Sequence, residues 1–150
     1  MAGQSCAPAI KADVLVCGGG MAGTVAAVAA ARAGADTLLI ERWGFLGGSA
    51  TAAAVGQFVG WETATGRRVI GGIAEEIVSR LVARGASDGH TRFVMSTGHP
   101  MDQVPYDPEA LKVVLDELVC EAGVRVLFHT VVTGVVASGR AIEAIEVAAR

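Results

Sequence analysis

Apolar residues in this chain fall into short unbroken runs and two helical stripes. Asp13-Val-Leu-Val-Cys17 runs into three glycines, and Asp36-Thr-Leu-Leu-Ile40 ends at Glu41-Arg42. Continuous rather than alternating apolarity predicts strands buried on both faces, as in a parallel sheet. Cys17 is then expected inside as a small hydrophobe. Between the two runs, Met21 to Ala33 is dominated by alanine, the best helix former, and Gly34 stands where a helix C-terminus is capped. Residues 13–42 thus predict one βαβ unit. Its parallel crossover puts Gly18 and Glu41 at the C-terminal ends of neighbouring strands.

Residues 43–107 read as an insertion with no clear third strand of the parallel sheet. Ser49–Val55 is small and weakly helical. Ile73, Ile77 and Leu81 recur at helical spacing, and Gly85 closes that helix. Ala86 to Tyr106, polar and carrying Gly and Pro, is expected to be mostly loop. Residues 108–150 return to regular structure. Asp107 is the expected N-cap and Pro108 sits at N1, where its missing N–H costs nothing. Leu111, Val114, Leu115, Leu118, Val119 and Ala122 form one apolar stripe, which Gly123 ends. Val124–His129 is a third buried strand. Val131–Ala137, the turn at Ser138-Gly-Arg140 and Ala141–Val147 suggest a hairpin, although the Ile142/Ile145 spacing is not strand-like.

At 150 residues the chain has room for one sizeable core, and its apolar content argues against disorder. A net charge of −3 with no basic block leaves nucleic acid without an electrostatic footprint. The three cysteines, Cys6, Cys17 and Cys120, fit neither a disulfide framework nor a zinc site, which makes a reducing cytoplasm the expected compartment; no metal is expected. Val14 to Ala31 is uncharged and contains Gly19-xxx-Gly23, but glycines interrupt it after four apolar residues. With no basic leader before it, it reads as neither a membrane span nor a signal peptide.

The chemistry starts at Gly18-x-Gly20-x-x-Gly23, which follows a strand and opens a helix. Gly18 permits the tight turn, Gly20 lets a pyrophosphate approach the backbone, and Gly23 lets the helix lie close to the sheet. Met21 and Ala22 belong to the helix start, whose free N–H groups and positive dipole end suit phosphate. Seventeen residues separate Gly23 from Glu41, close to the interval expected for an acid on an adenosine ribose. The same carboxylate would repel a 2′-phosphate. FAD and NAD both contain the ADP moiety these residues suit. The about 80 residues between Glu41 and Val124, opening with Gly47-Gly-Ser-Ala-Thr51, favour the longer cofactor over the short connections of an NAD-type half.

These stretches resemble the FAD-dependent oxidoreductases of glutathione reductase-like fold, in particular the group related to fumarate reductase flavoproteins and L-aspartate oxidases. The resemblance is carried by Asp13 to Gly23, Leu38-Leu-Ile-Glu-Arg42 and Gly44-Phe-Leu-Gly-Gly-Ser-Ala-Thr51. It continues through Gly71-Gly-Ile-Ala-Glu-Glu-Ile77, Tyr106-Asp-Pro-Glu-Ala-Leu-Lys112, and Glu121-Ala-Gly-Val124 with His129-Thr130. It implies a Rossmann-like α/β FAD-binding domain with a parallel sheet, a helical insertion and a C-terminal hairpin, of which this chain is the incomplete N-terminal part. It also implies that Arg42 lies beside the ribose and that Gly47, Gly48 and Thr51 border the pyrophosphate and ribityl chain. Val132 is implied to meet adenine through its backbone. Some relatives attach the flavin through a side chain just before the second glycine pair; Trp43-Gly-Phe-Leu46 offers no His, Cys or Tyr, so non-covalent FAD is expected.

The late ribityl-binding segment of the family and its substrate-binding elements have no counterpart after Arg140. The substrate is expected to be a small molecule, with the remaining C-terminal half of the protein as partner. Two other readings stay open: an NAD-dependent dehydrogenase half, and a non-enzymatic nucleotide-binding subunit completed by another chain. His90 and His99 are expected at the surface, with substrate contact the alternative, and His129 in a structural role. Trp43 and Phe45 are expected in core packing rather than shielding the flavin.

Overall fold

The computed structural model describes residues 9–149, so Cys6 lies outside the described residues. In chain order the elements are β1 (Val14–Cys17), α1 (Met21–Arg32), β2 (Thr37–Ile40), β3 (Gln57–Val59), α2 (Ile73–Ala83), β4 (Thr91–Val94), β5 (Pro100–Pro105), α3 (Pro108–Ala122), β6 (Arg125–Leu127), β7 (Thr130–Ser138) and β8 (Ala141–Ala149). A 3-10 turn covers Gly48–Ala50. β1, β2 and β6 form a parallel sheet in that order, with Cys17 opposite Ile40 and Ile40 opposite Leu127. The α/β fold expected from the chain is the one formed.

The core lies between this sheet and its helices. Leu39 of β2, Ala27 and Val28 of α1, and Leu111, Val114, Leu115 and Leu118 of α3 are all fully buried. Those α3 residues belong to the apolar stripe read from the sequence, and the helix ends match too. The Asp107 carboxylate accepts from the Glu109 N–H at 2.8 Å and from the Ala110 N–H at 3.4 Å, while Gly123 closes the helix at φ 77°. Substituting such an N-cap costs about 1 kcal/mol.

Four local expectations are corrected. β1 is not buried on both faces: it hydrogen-bonds β2 alone, so Val16 packs on the core while Leu15 is 38% exposed and Cys17 is exposed. Successive strand side chains point to opposite faces, and only one face of β1 is covered by α1. Second, residues 86–106 carry two strands within the expected loop. β4 and β5 pair antiparallel, and β5 also pairs with β3, giving the order β3-β5-β4. This sheet packs Val104 and Trp61 against Val78 of α2, a small second core. Third, Ser49–Val55 shows no regular helix beyond the 3-10 turn. Fourth, Trp43 is 49% exposed rather than in the core, with the Arg42 guanidinium 5.6 Å from its ring centroid.

The ambiguous C-terminal segment is β8, antiparallel to β7. Val136 pairs with Ala144 and Ala137 with Ile142, so Glu143 is an extra residue in the ladder. Such a bulge keeps Ile142 and Ile145 on one face despite their spacing of three. Among the described residues no helix is long and apolar enough to cross a membrane.

Candidate nucleotide-binding site

The parallel strands β1 and β2 end side by side, and the chain turns there from β1 into α1. Gly18 takes φ +103°, a left-handed conformation that side chains other than glycine rarely adopt, and its N–H donates to the Ile40 carbonyl at 2.8 Å. A Cβ on Gly23 would lie 1.9 Å from the Gly18 carbonyl oxygen, so α1 crosses the turn at backbone contact. Gly20 is different. A Cβ built there meets nothing within 4 Å, and its φ of −65° suits any residue. Neither packing nor backbone geometry demands glycine at 20; the open space above it admits a pyrophosphate at the start of α1. No side chain caps this end, since the Thr24 hydroxyl donates to the Gly19 carbonyl, so the first-turn N–H groups of α1 remain available to an anion.

Glu41, one residue past β2, is only 6% exposed. Its Oε2 accepts from the Gly19 N–H at 2.6 Å and its Oε1 from the Trp43 N–H at 2.8 Å. It forms no ion pair with Arg42, whose guanidinium lies over Trp43 instead. A buried carboxylate without a cation is costly unless hydrogen bonds hold it. Here two backbone donors do so while fixing its orientation. A carboxylate has about four lone-pair sites, so about two remain for hydroxyl donors.

The second glycine pair is bound to the first. The Gly47 N–H donates to the Gly19 carbonyl at 2.8 Å, and a Cβ on Gly48 would come within 3.0 Å of the Gly20 Cα. Gly47 itself takes φ +105°, with the Thr51 side chain packed where its Cβ would stand. Thr51 is buried and its hydroxyl donates to the Leu46 carbonyl at 2.6 Å, so it braces this loop from within. The two loops therefore make one continuous rim around the start of α1. β7 joins it at the other side, because the Thr130 N–H donates to the Glu41 carbonyl at 3.0 Å. Val132 follows two residues later, 40% exposed.

Gly19, Leu46 and Thr130 were not read from the sequence as site residues. Gly19 orients Glu41 and has no room for a side chain, since a Cβ would meet Leu46 Cδ2 at 2.6 Å. Its signal toward the site was the uninterrupted run of three glycines. His129 takes φ +52° in the β6–β7 turn, where its ring fills the space beside Gly44 and its N–H donates to the Trp43 carbonyl at 3.3 Å. That is a structural role. Phe45 is half-buried under the Lys112 ammonium, 4.3 Å from its ring centroid. His99 is exposed in the β4–β5 turn. His90 is outside the rim: its Nδ1 faces Asp102 at 3.0 Å and its Nε2 faces Glu75 at 3.2 Å, with Arg68 completing the cluster. Both ring nitrogens are thus engaged.

The fold recurs within longer solved chains. The structure of THI4 from Thermovibrio ammonificans matches with a TM-score of 0.62 and 20% identity over 91% of this chain and 47% of that one. A geranylgeranyl bacteriochlorophyll reductase-like protein from Thermoplasma acidophilum matches with a TM-score of 0.61 and 20% identity, over 91% of this chain and 34% of that one. The 3-ketosteroid-Δ4-(5α)-dehydrogenase of Rhodococcus jostii RHA1, solved with 4-androstene-3,17-dione, matches at 0.56 and 24% identity, over 83% and 39%. The chain therefore spans less than half the length of each. No curated protein sequence matches it. The family model described as FAD dependent oxidoreductase, in contrast, matches residues 13–150. From β1 through the hairpin, this chain belongs to the FAD-dependent oxidoreductase family.

Proposed function

We propose that these residues form the ADP-gripping part of a flavoenzyme that binds FAD non-covalently and oxidises or reduces a small molecule. The affinity with fumarate reductase flavoproteins and L-aspartate oxidases is part of this reading, as is a division into a nucleotide-binding unit (13–42), an insertion (43–107) and a closing segment (108–150). The observation that carries it is Glu41: a buried carboxylate, held by two backbone N–H groups beside an open glycine turn, with lone pairs to spare. Each charge-assisted bond it offers a ribose hydroxyl contributes about 1.5–3 kcal/mol. Gly20 and the first turn of α1, with Met21 and Ala22, receive the pyrophosphate. Gly47, Gly48 and the loop braced by Thr51 continue the rim toward the ribityl chain. Arg42 and Val132 flank the ribose and adenine. FAD, when bound, supplies the redox centre; the protein supplies its placement. The rest of the flavin site and further substrate contacts come from the remaining half of the protein, and cytoplasmic residence belongs to the same proposal.

The test is to purify the whole protein and release its cofactor by heat. FAD is expected on chromatography, with all flavin in the supernatant after acid precipitation. FMN as the sole species would overturn the reading, because FMN lacks the ADP half that Glu41 is proposed to hold.

A further inference from the structure

Beside the start of α1 the structure opens an apolar pocket of about 490 Å³, a size typical of small-molecule sites. It is continuous with the cofactor rim, because Met21 and Ala22 of α1 and Ser49 and Ala50 of the second glycine loop line it. The far wall is fastened to that loop. Phe58 stacks on Tyr106 with ring centroids 4.3 Å apart, and the Tyr106 hydroxyl donates to the Ala50 carbonyl at 3.1 Å.

No residue lining the pocket carries a charge. A carboxylate or phosphate entering it would lose hydration without meeting a cation, whereas an uncharged apolar molecule gains by leaving water. Trp61 is 3% exposed and stands in the wall with its Nε1–H shut away from the open space. The flavin ring is the competing occupant. Its pyrimidine edge needs several hydrogen-bond partners at once, which these apolar walls suit poorly.

We infer that this pocket receives the substrate, and that the substrate is an uncharged, largely apolar molecule. The assignment of substrate rests on the FAD reading above; the ligand chemistry rests on the pocket alone.

A Trp43→Phe background leaves Trp61 as the single tryptophan, so its fluorescence reports the pocket. The chain is titrated with 2-acetylnaphthalene, with naphthalene and with 2-naphthoate. The neutral ketone and naphthalene are each expected to quench saturably and to bind at least tenfold more tightly than the carboxylate. Val55→Asp and Ile70→Glu, at exposed lining positions, should each weaken the ketone at least tenfold with unchanged circular dichroism. Saturating FAD should not displace the ketone in equilibrium dialysis. Equal affinities for ketone and carboxylate overturn the inference. So do full affinity in both charged variants and displacement by FAD. ADP titrated into the same samples separates the two readings. ADP binding without ketone selectivity overturns the pocket inference alone; ketone selectivity without ADP binding overturns the substrate role together with the FAD reading.

Discussion

At Glu41 each carboxylate oxygen already accepts one backbone N–H, from Gly19 and from Trp43, so a ribose would find an acceptor fixed in place before it arrives. Removing it should therefore weaken binding more than it weakens the fold. Glu41→Ala is expected to lower affinity for ADP by about ten- to a hundredfold, or about 1.5–3 kcal/mol, in a calorimetric titration. Unchanged affinity would mean that the carboxylate serves the Gly19 turn alone. The glycines divide by the same logic. Gly20→Val enters open space at an ordinary backbone angle, so its melting temperature should stay near wild type while ADP binding collapses. Gly23→Ala puts a methyl 1.9 Å from the Gly18 carbonyl and must displace backbone. It should cost about 1–3 kcal/mol of stability in urea. Reversed behaviour of the two variants would show that the open space over Gly20 is not where phosphate enters.

Between the helices, Arg32 of α1, Glu76 and Arg80 of α2, and Glu121 of α3 form one chain of ion pairs with contacts of 2.6–2.8 Å. The hydrogen bond from Arg32, with help from Arg80, holds the Glu76 carboxyl down to about 2 from its ordinary 4.5. A depressed carboxylate stabilises the fold above its unfolded value, and that contribution is lost as pH falls from about 4.5 to about 2. Solvent screens these partly exposed groups, so the loss should be about 1 kcal/mol. Urea midpoints measured from pH 5 to 2 should fall less steeply in Glu76→Gln than in wild type; parallel curves would remove Glu76 from the account. Elements like these differ in how much of them the sequence discloses. α3 was legible because its stripe, its Asp107 cap and its Gly123 stop agree. β4 and β5 were not, because Arg92, Asp102 and Gln103 leave no apolar run, and pairing with each other and with β3 creates them. β1 was read as fully buried because an apolar run does not record whether a neighbouring strand covers it. In the site, the glycine motif and Glu41 were visible as spacing. The bond from Gly19 to Glu41 spans 22 residues and has no local trace.

Across the whole molecule, the contacts proposed for the cofactor are concentrated on one half of it. Gly18 to Gly23, Glu41 and the start of β7 surround the positions proposed for adenosine and pyrophosphate, whereas the contacts proposed beyond them end at the second glycine loop. The covering surfaces are themselves bare. β1 presents Leu15 outward, and the β7–β8 hairpin exposes Val135 at 58% and Ile142 at 71%. Exposed apolar surface of this kind invites association, and a ring left in water forfeits about 25 cal/mol for each Å² it could have buried. The 150-residue chain should accordingly bind FAD and ADP with affinities within about tenfold, or about 1.4 kcal/mol, of each other. Calorimetric titration with each nucleotide, at protein concentrations where light scattering shows monomer, makes the comparison. A much tighter FAD complex with a structured flavin spectrum would mean that these residues also enclose the ring. The grip would then extend beyond the ADP half that Glu41 and the glycine turn define.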